Sequence, residues 1–150
     1  MERKINFPAV LVATVVHWLL GAAWFTFFRN EWIAGVGLTP AQVQAAQAHP
    51  SPVPYIIAFI CSFGLAVVIA RMITFSKMTT ALGGARIGMM LGLGVALLPM
   101  MTEYFFEMRH LKFALIAGGY PAVGAVIMGV ILGAWQKKPA SAQLVNKAAA

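Results

Sequence analysis

His17 is the residue best placed to carry chemistry, because it falls in the middle of an apolar run, 5–28, that is otherwise interrupted only by Asn6, Thr14 and Thr26. An imidazole at that depth can relay a proton or hold a ligand, and ionisable groups inside membrane segments face the interior of a bundle. The plainer role is a hydrogen-bonded packing residue, since histidine is one of the side chains that bond across membrane helices. Ser62 and Tyr120 are the expected partners, or a carbonyl laid bare beside Gly92. Glu103 shares the glycine-lined side of its segment. At 1.5 Å of rise per residue, however, it should lie about 15 Å outward of His17. Glu103 and Glu107 are therefore expected to pair with Arg109, Lys112 or Arg29 at a membrane boundary, where such pairs contribute little.

No familiar catalytic layout emerges. His17, His49 and His110 fall at mid-span, in a loop and at a boundary, which is not metal-ligand spacing. Gly83, Gly84, Gly88, Gly92 and Gly94 follow no strand, so they are not a phosphate-cradling loop. Haem would need a second axial ligand at the depth of His17, and none stands out. No cofactor is expected, and an intramembrane enzyme would lack a nucleophile and an acid–base pair. The nine methionines, with pairs at 89/90 and 100/101, read as flexible apolar filler.

The surroundings of these residues are set by composition. Of 150 residues, 61% are hydrophobic and only 10% charged, against about 25% charged in a soluble domain. The solvent of this chain is therefore lipid. A net charge of +7 is spread over the ends of apolar segments rather than gathered in a patch, so nucleic acid is not an expected partner. Cys61 is the single cysteine, and no internal disulfide can form.

Four spans are expected, at about 5–28, 55–74, 81–106 and 113–135, each long enough for the roughly 30 Å hydrocarbon core. The first is read as a retained helix rather than a signal peptide, because it is too long and ends in Trp24, Phe25, Phe27 and Phe28. In the only long connection, Thr39, Pro40 and Gln42 make a capping box that predicts a short helix over 40–49. Pro50, Pro52 and Pro54 then restart the chain as an extended lead. Residues 136–150 are expected to be a mobile tail. Pro121, inside the fourth span, should bend it by depriving the Ala117 carbonyl of its donor. Pro99 raises the same question in the third.

Small residues recur on one side of every span. Ala9, Ala13, His17 and Gly21 align in the first, and Ala58, Ser62, Ala66 and Ala70 in the second. Gly84, Gly88, Gly92 and Ala96 align in the third, and Gly118, Ala122, Ala125, Gly129 and Gly133 in the fourth. In lipid such rows let helix backbones approach closely. An antiparallel four-helix bundle follows, with one row available to join a second copy or another membrane protein.

Lysine and arginine are unequally divided between the two ends. Arg3, Lys4, Arg71, Lys77, Lys137, Lys138 and Lys147 lie on the side of the termini, with Arg86 beside them, against Arg29, Arg109 and Lys112 on the other. By the positive-inside rule both termini are cytoplasmic.

The segment HWLLGAAWFTFFRNEW (17–32), GLTP in the loop and FALIAGGY…IMG…W (113–135) resemble small bacterial four-span membrane proteins, the family called domain of unknown function 1761. Gly21, Trp24, Phe25, Trp32, Gly119 and Tyr120 occupy the places of its signature. Phe25 stands where a tyrosine is often found. The resemblance implies four spans and a bacterial inner membrane, and supplies no activity. The leading expectation is a non-enzymatic protein acting through helix packing or oligomerisation. The alternative is a small-solute or proton-linked carrier or channel component with a polar path near His17.

Overall fold

Backbone amides and carbonyls in hydrocarbon have no water to bond, so an apolar chain must satisfy them within helices. A computed structural model describes residues 5–137, and every regular element among them is helical. Most of the expected tail, from residue 138 on, lies outside the described residues; Gln136 and Lys137 have left the helix.

Helix α1 (Phe7–Phe27) is followed after one residue by α2 (Arg29–Val36), and α3 (Pro40–Ala48) completes the connection to α4 (Val53–Ser76). Helix α5 (Ala81–Leu91), a π-helical turn (Gly92–Leu97) and α6 (Leu98–Phe106) form one continuous third span, and α7 (Leu111–Ala134) is the fourth. Four helices, Phe7–Phe27, Val53–Ser76, Ala81–Phe106 and Leu111–Ala134, are long and apolar enough to cross a membrane.

The spans alternate in direction. Asn6 Nδ2, ahead of α1, donates to the Trp135 carbonyl after α7 at 3.0 Å. Trp18 Nε1, just past the middle of α1, donates to the Tyr55 carbonyl early in α4 at 3.1 Å. Helix α7 packs on α1, on α4 and on the whole third span, and half of its apolar window is buried, against 28% for each of the others. It is the axis of the bundle. Towards the end that carries the termini, Val10, Ile69, Ile73, Met128 and Leu132 close a core shared by α1, α4 and α7.

The small-residue rows face inward. Ala9, Ala13, His17 and Gly21 are buried, as are Ser62, Ala66 and Ala70; Ala58 alone of that second row is exposed. Along the α5–α7 contact the backbones nearly touch. A Cβ on Gly84 would strike the Gly129 carbonyl, and one on Gly88 would strike that of Ala125. A Cβ on Gly92 would stand 2.7 Å from the Ala122 oxygen. The row does not continue at Ala96, as even helical spacing predicts. The π turn adds a residue, so Leu97 meets Gly118, whose Cβ would lie 2.7 Å from Leu97 Cδ1. Pro99 follows this turn and has no N–H to give the Val95 carbonyl, so widening the helix ahead of it sacrifices no bond. Helix α7, in contrast, stays helical through Pro121.

Helix α3 begins on the expected capping box. The Gln42 amide donates to Thr39 Oγ1 at 3.3 Å, and the Thr39 amide donates to Gln42 Oε1 at 2.9 Å. All its residues but Val43 are exposed. Thr39→Ala is therefore expected to fray α3 by about 1 kcal/mol and to leave the four spans intact. Amide exchange confined to 40–48 would report it.

Helix α2 is a finding rather than an expectation, since 29–54 offered one readable helix. Its start carries no capping side chain, because Phe28 alone separates it from α1. Its end is marked by Gly37 at φ 78°, a left-handed position natural to glycine.

Candidate functional site

Three spans meet at their centres around His17. Burial of the alanine and glycine row of α1 turns the imidazole inward, and it is 5% exposed. Its Nδ1 lies 2.9 Å from Ser62 Oγ on α4 and 3.0 Å from the Tyr120 hydroxyl on α7. The Tyr120 hydroxyl also lies 3.4 Å from the carbonyl of His17. The structure thus brings His17, Ser62 and Tyr120 together, and the Gly92 carbonyl is not among the partners of His17. Ser62 is also buried.

Two glycines make room for this cluster. A Cβ at Gly124 would strike the imidazole, 2.6 Å from Nε2. A Cβ at Gly21 would stand 2.9 Å from the Tyr120 hydroxyl oxygen. Neither role is visible in sequence, because each depends on what the opposite helix presents.

Nδ1 has one bonding position, which either carries a proton or accepts one. With the proton on Nδ1, the ring donates to Ser62 while Tyr120 donates to the His17 carbonyl. Nε2 is then left as an acceptor, and it is buried with no partner among the described residues. With the proton on Nε2, a buried donor stands alone instead, and in both cases the unpaired atom costs about 1–3 kcal/mol. Nε2 is thus the unpaired atom in either tautomer.

An aromatic cap covers the cluster on the side of the long loop. The Phe25 ring meets Tyr120 edge-on at 5.5 Å and Trp32 at 5.9 Å. Trp24 Nε1 donates to the Ile116 carbonyl at 2.9 Å, and the bare face of Gly119 lies under its ring. Gly21, Trp24, Phe25, Trp32, Gly119 and Tyr120 thus form one contiguous shell.

Beyond that shell, α2 is fastened to the turn between α6 and α7. Arg109 pairs with Glu107 at 2.6 Å, donates to the Gly35 carbonyl and lies 5.1 Å over the Phe113 ring. Lys112 reaches Glu31 at 3.3 Å. Glu103, expected to join these pairs, does not. It is exposed on α6 with no ion pair among the described residues, a full turn short of Arg109 and its partner Glu107.

A hydrogen bond from its own backbone amide and another from Lys112 hold the Glu31 carboxyl below the ordinary carboxylate range. A depressed value in the folded protein adds stability above the unfolded carboxylate's pKa, and that gain is lost as pH falls through the folded one. Both side chains are well exposed, so Glu31→Gln is expected to leave the unfolding midpoint at neutral pH essentially unchanged. A titration of that midpoint between pH 7 and pH 3 checks this.

Alternating helices around a buried polar centre define a polytopic α-helical membrane protein with four spans. The sequence matches, over residues 8–133, the family described as "Protein of unknown function (DUF1761)". The chain belongs to that family. No curated protein and no solved structure matches it.

Proposed function

We propose that this protein is a non-enzymatic component of the bacterial inner membrane, with both termini cytoplasmic, in which His17 is the working group of a proton-linked or small-solute path. The observation that carries this reading is the Nε2 atom of His17, buried at mid-span with no partner among the described residues. Ser62 and Tyr120 both lie within hydrogen-bond distance of the other nitrogen, which fixes the ring and leaves Nε2 to exchange a proton or a hydrogen bond with a small protic solute. Irregular backbone at membrane depth is tolerated where protein buries it or a cavity meets it. One such place flanks the centre: the π turn 92–97, packed on α7 near Gly118 and Ala122.

Reconstituted into vesicles with an imposed pH gradient, the wild-type chain should dissipate the gradient faster than empty vesicles, and His17→Phe should abolish the difference. A wild type no faster than empty vesicles, or a variant as fast as wild type, would overturn the reading.

Association with a second copy is a second reading, supported by the outer face of α4. The glycine rows of α5 and α7 meet each other within one chain and leave little for a partner. On α4, however, a Cβ at Gly64 would meet open space, and Ile57, Ile60, Cys61 and Val68 are exposed beside it. Oxidation in native membranes should then yield a dimer through Cys61, absent in Cys61→Ser. Monomer alone would exclude this face.

A further inference from the structure

The end of the bundle that carries the termini holds a feature that neither packing nor the His17 centre uses. Arg71 lies five residues before the end of α4, and Arg86 five residues after the start of α5. The two helices are joined by a short turn through Lys77 and pack antiparallel against each other. Five residues at 1.5 Å each put both arginines about 7.5 Å below the turn, at one depth.

For a hydrocarbon core centred on α4, that depth lies inside it. The 24 residues of α4 span about 36 Å, and a core of about 30 Å leaves about 3 Å at each end. Both guanidinium-bearing side chains are exposed, away from the buried rows Ser62, Ala66, Ile69 and Ile73 on α4 and Gly84, Ile87 and Gly88 on α5. An arginine so placed extends along the helix until its head meets phosphate.

Among the described residues no carboxylate lies at their end of the bundle. Among the described residues the acids are Glu31, Glu103 and Glu107, all at the opposite end, where they balance Arg29, Arg109 and Lys112. The termini end carries Arg71, Lys77, Arg86 and Lys137 and no acid among the described residues.

We propose that Arg71 and Arg86, at matched depth on the α4–α5 hairpin, hold the phosphate of an anionic phospholipid. The guanidinium fork suits a phosphate diester, which it can grip with two parallel N–H donors. The site is independent of any role for His17.

The test is native mass spectrometry of the full chain released from nanodiscs of phosphatidylcholine containing a minor share of phosphatidylglycerol. Wild type should retain phosphatidylglycerol in preference to phosphatidylcholine. Each basic residue near the surface gives roughly fivefold in affinity for anionic lipid, so Arg71→Gln with Arg86→Gln should lower that preference about 25-fold. The lysine pair, Arg71→Lys with Arg86→Lys, keeps the charge and serves as the folded control; it should retain an intermediate preference. Excess inorganic phosphate should not displace the lipid. Equal retention by wild type and the glutamine pair would overturn the proposal, as would full displacement by inorganic phosphate, which would make the ligand a free anion.

Discussion

Gly84→Leu should prevent α5 from seating on α7 and destabilise the bundle by about 3 kcal/mol or more, the range of severe overpacking. Even the first atom of a side chain at position 84 would strike the Gly129 carbonyl and come within 3.0 Å of the Gly133 Cα. These neighbours are backbone, so no rotamer change can make way, and the helices must part. Parting also releases Gly88 and Gly92 from Ala125 and Ala122, so the loss spreads along the seam. Gly64→Ala is the matching control. A Cβ there meets open space, and replacing a helix-interior glycine by alanine is expected to be neutral or to stabilise by up to about 1 kcal/mol. Reversible unfolding in bicelles, followed by tryptophan fluorescence, distinguishes the two substitutions. A Gly84→Leu protein as stable as wild type would mean that the seam is not where the third and fourth spans touch.

The second large effect is expected at the polar centre. His17→Phe strands the Ser62 hydroxyl in an apolar interior, where a buried group left without a partner costs about 1–3 kcal/mol, and leaves Tyr120 only its 3.4 Å contact with the backbone carbonyl of residue 17. Tyr120→Phe alone is milder, because Ser62 still holds Nδ1 at 2.9 Å; interhelical hydrogen bonds in membranes contribute about 0.6 kcal/mol on average. The two substitutions share a partner and should not add. In a double-mutant cycle the coupling between His17 and Tyr120 should exceed about 0.5 kcal/mol, the threshold for groups in one network. Gly124→Ala offers an independent route to the same damage, since its methyl would displace the imidazole without removing any polar atom. Its cost should resemble that of His17→Phe more than that of an alanine on a lipid-facing surface.

Much of this arrangement was legible before any coordinates. The rows Ala9/Ala13/His17/Gly21 and Gly118/Ala122/Ala125/Gly129/Gly133 repeat at the helical period, and such a period reports which side of a helix is buried whatever it is buried against. Once the faces and depths are known, Ser62 and Tyr120 are the polar side chains left to meet His17. The capping box at Thr39 was legible because it is local.

What escaped depends on events between helices. The π turn shifts the seam from Ala96 to Leu97, and a wheel drawn at constant pitch cannot show a change of pitch. Helix α2 begins without a capping side chain, so its sequence gave no start signal. The space made by Gly21 and Gly124 exists only because Tyr120 and His17 point at them from opposite helices. The Arg109 bond to the Gly35 carbonyl joins residues far apart in sequence, and spacing carries no trace of it.

The central claim is that imidazole and phenol meet at the middle of the bundle. A solid-state NMR correlation spectrum of the chain in lipid bilayers, with histidine and tyrosine isotopically labelled, tests it most directly. The ring centroids of His17 and Tyr120 lie 4.7 Å apart, so a cross-peak between them should appear and vanish in Tyr120→Phe. A spectrum without that cross-peak, or one in which it survives the substitution, would contradict the placement of His17.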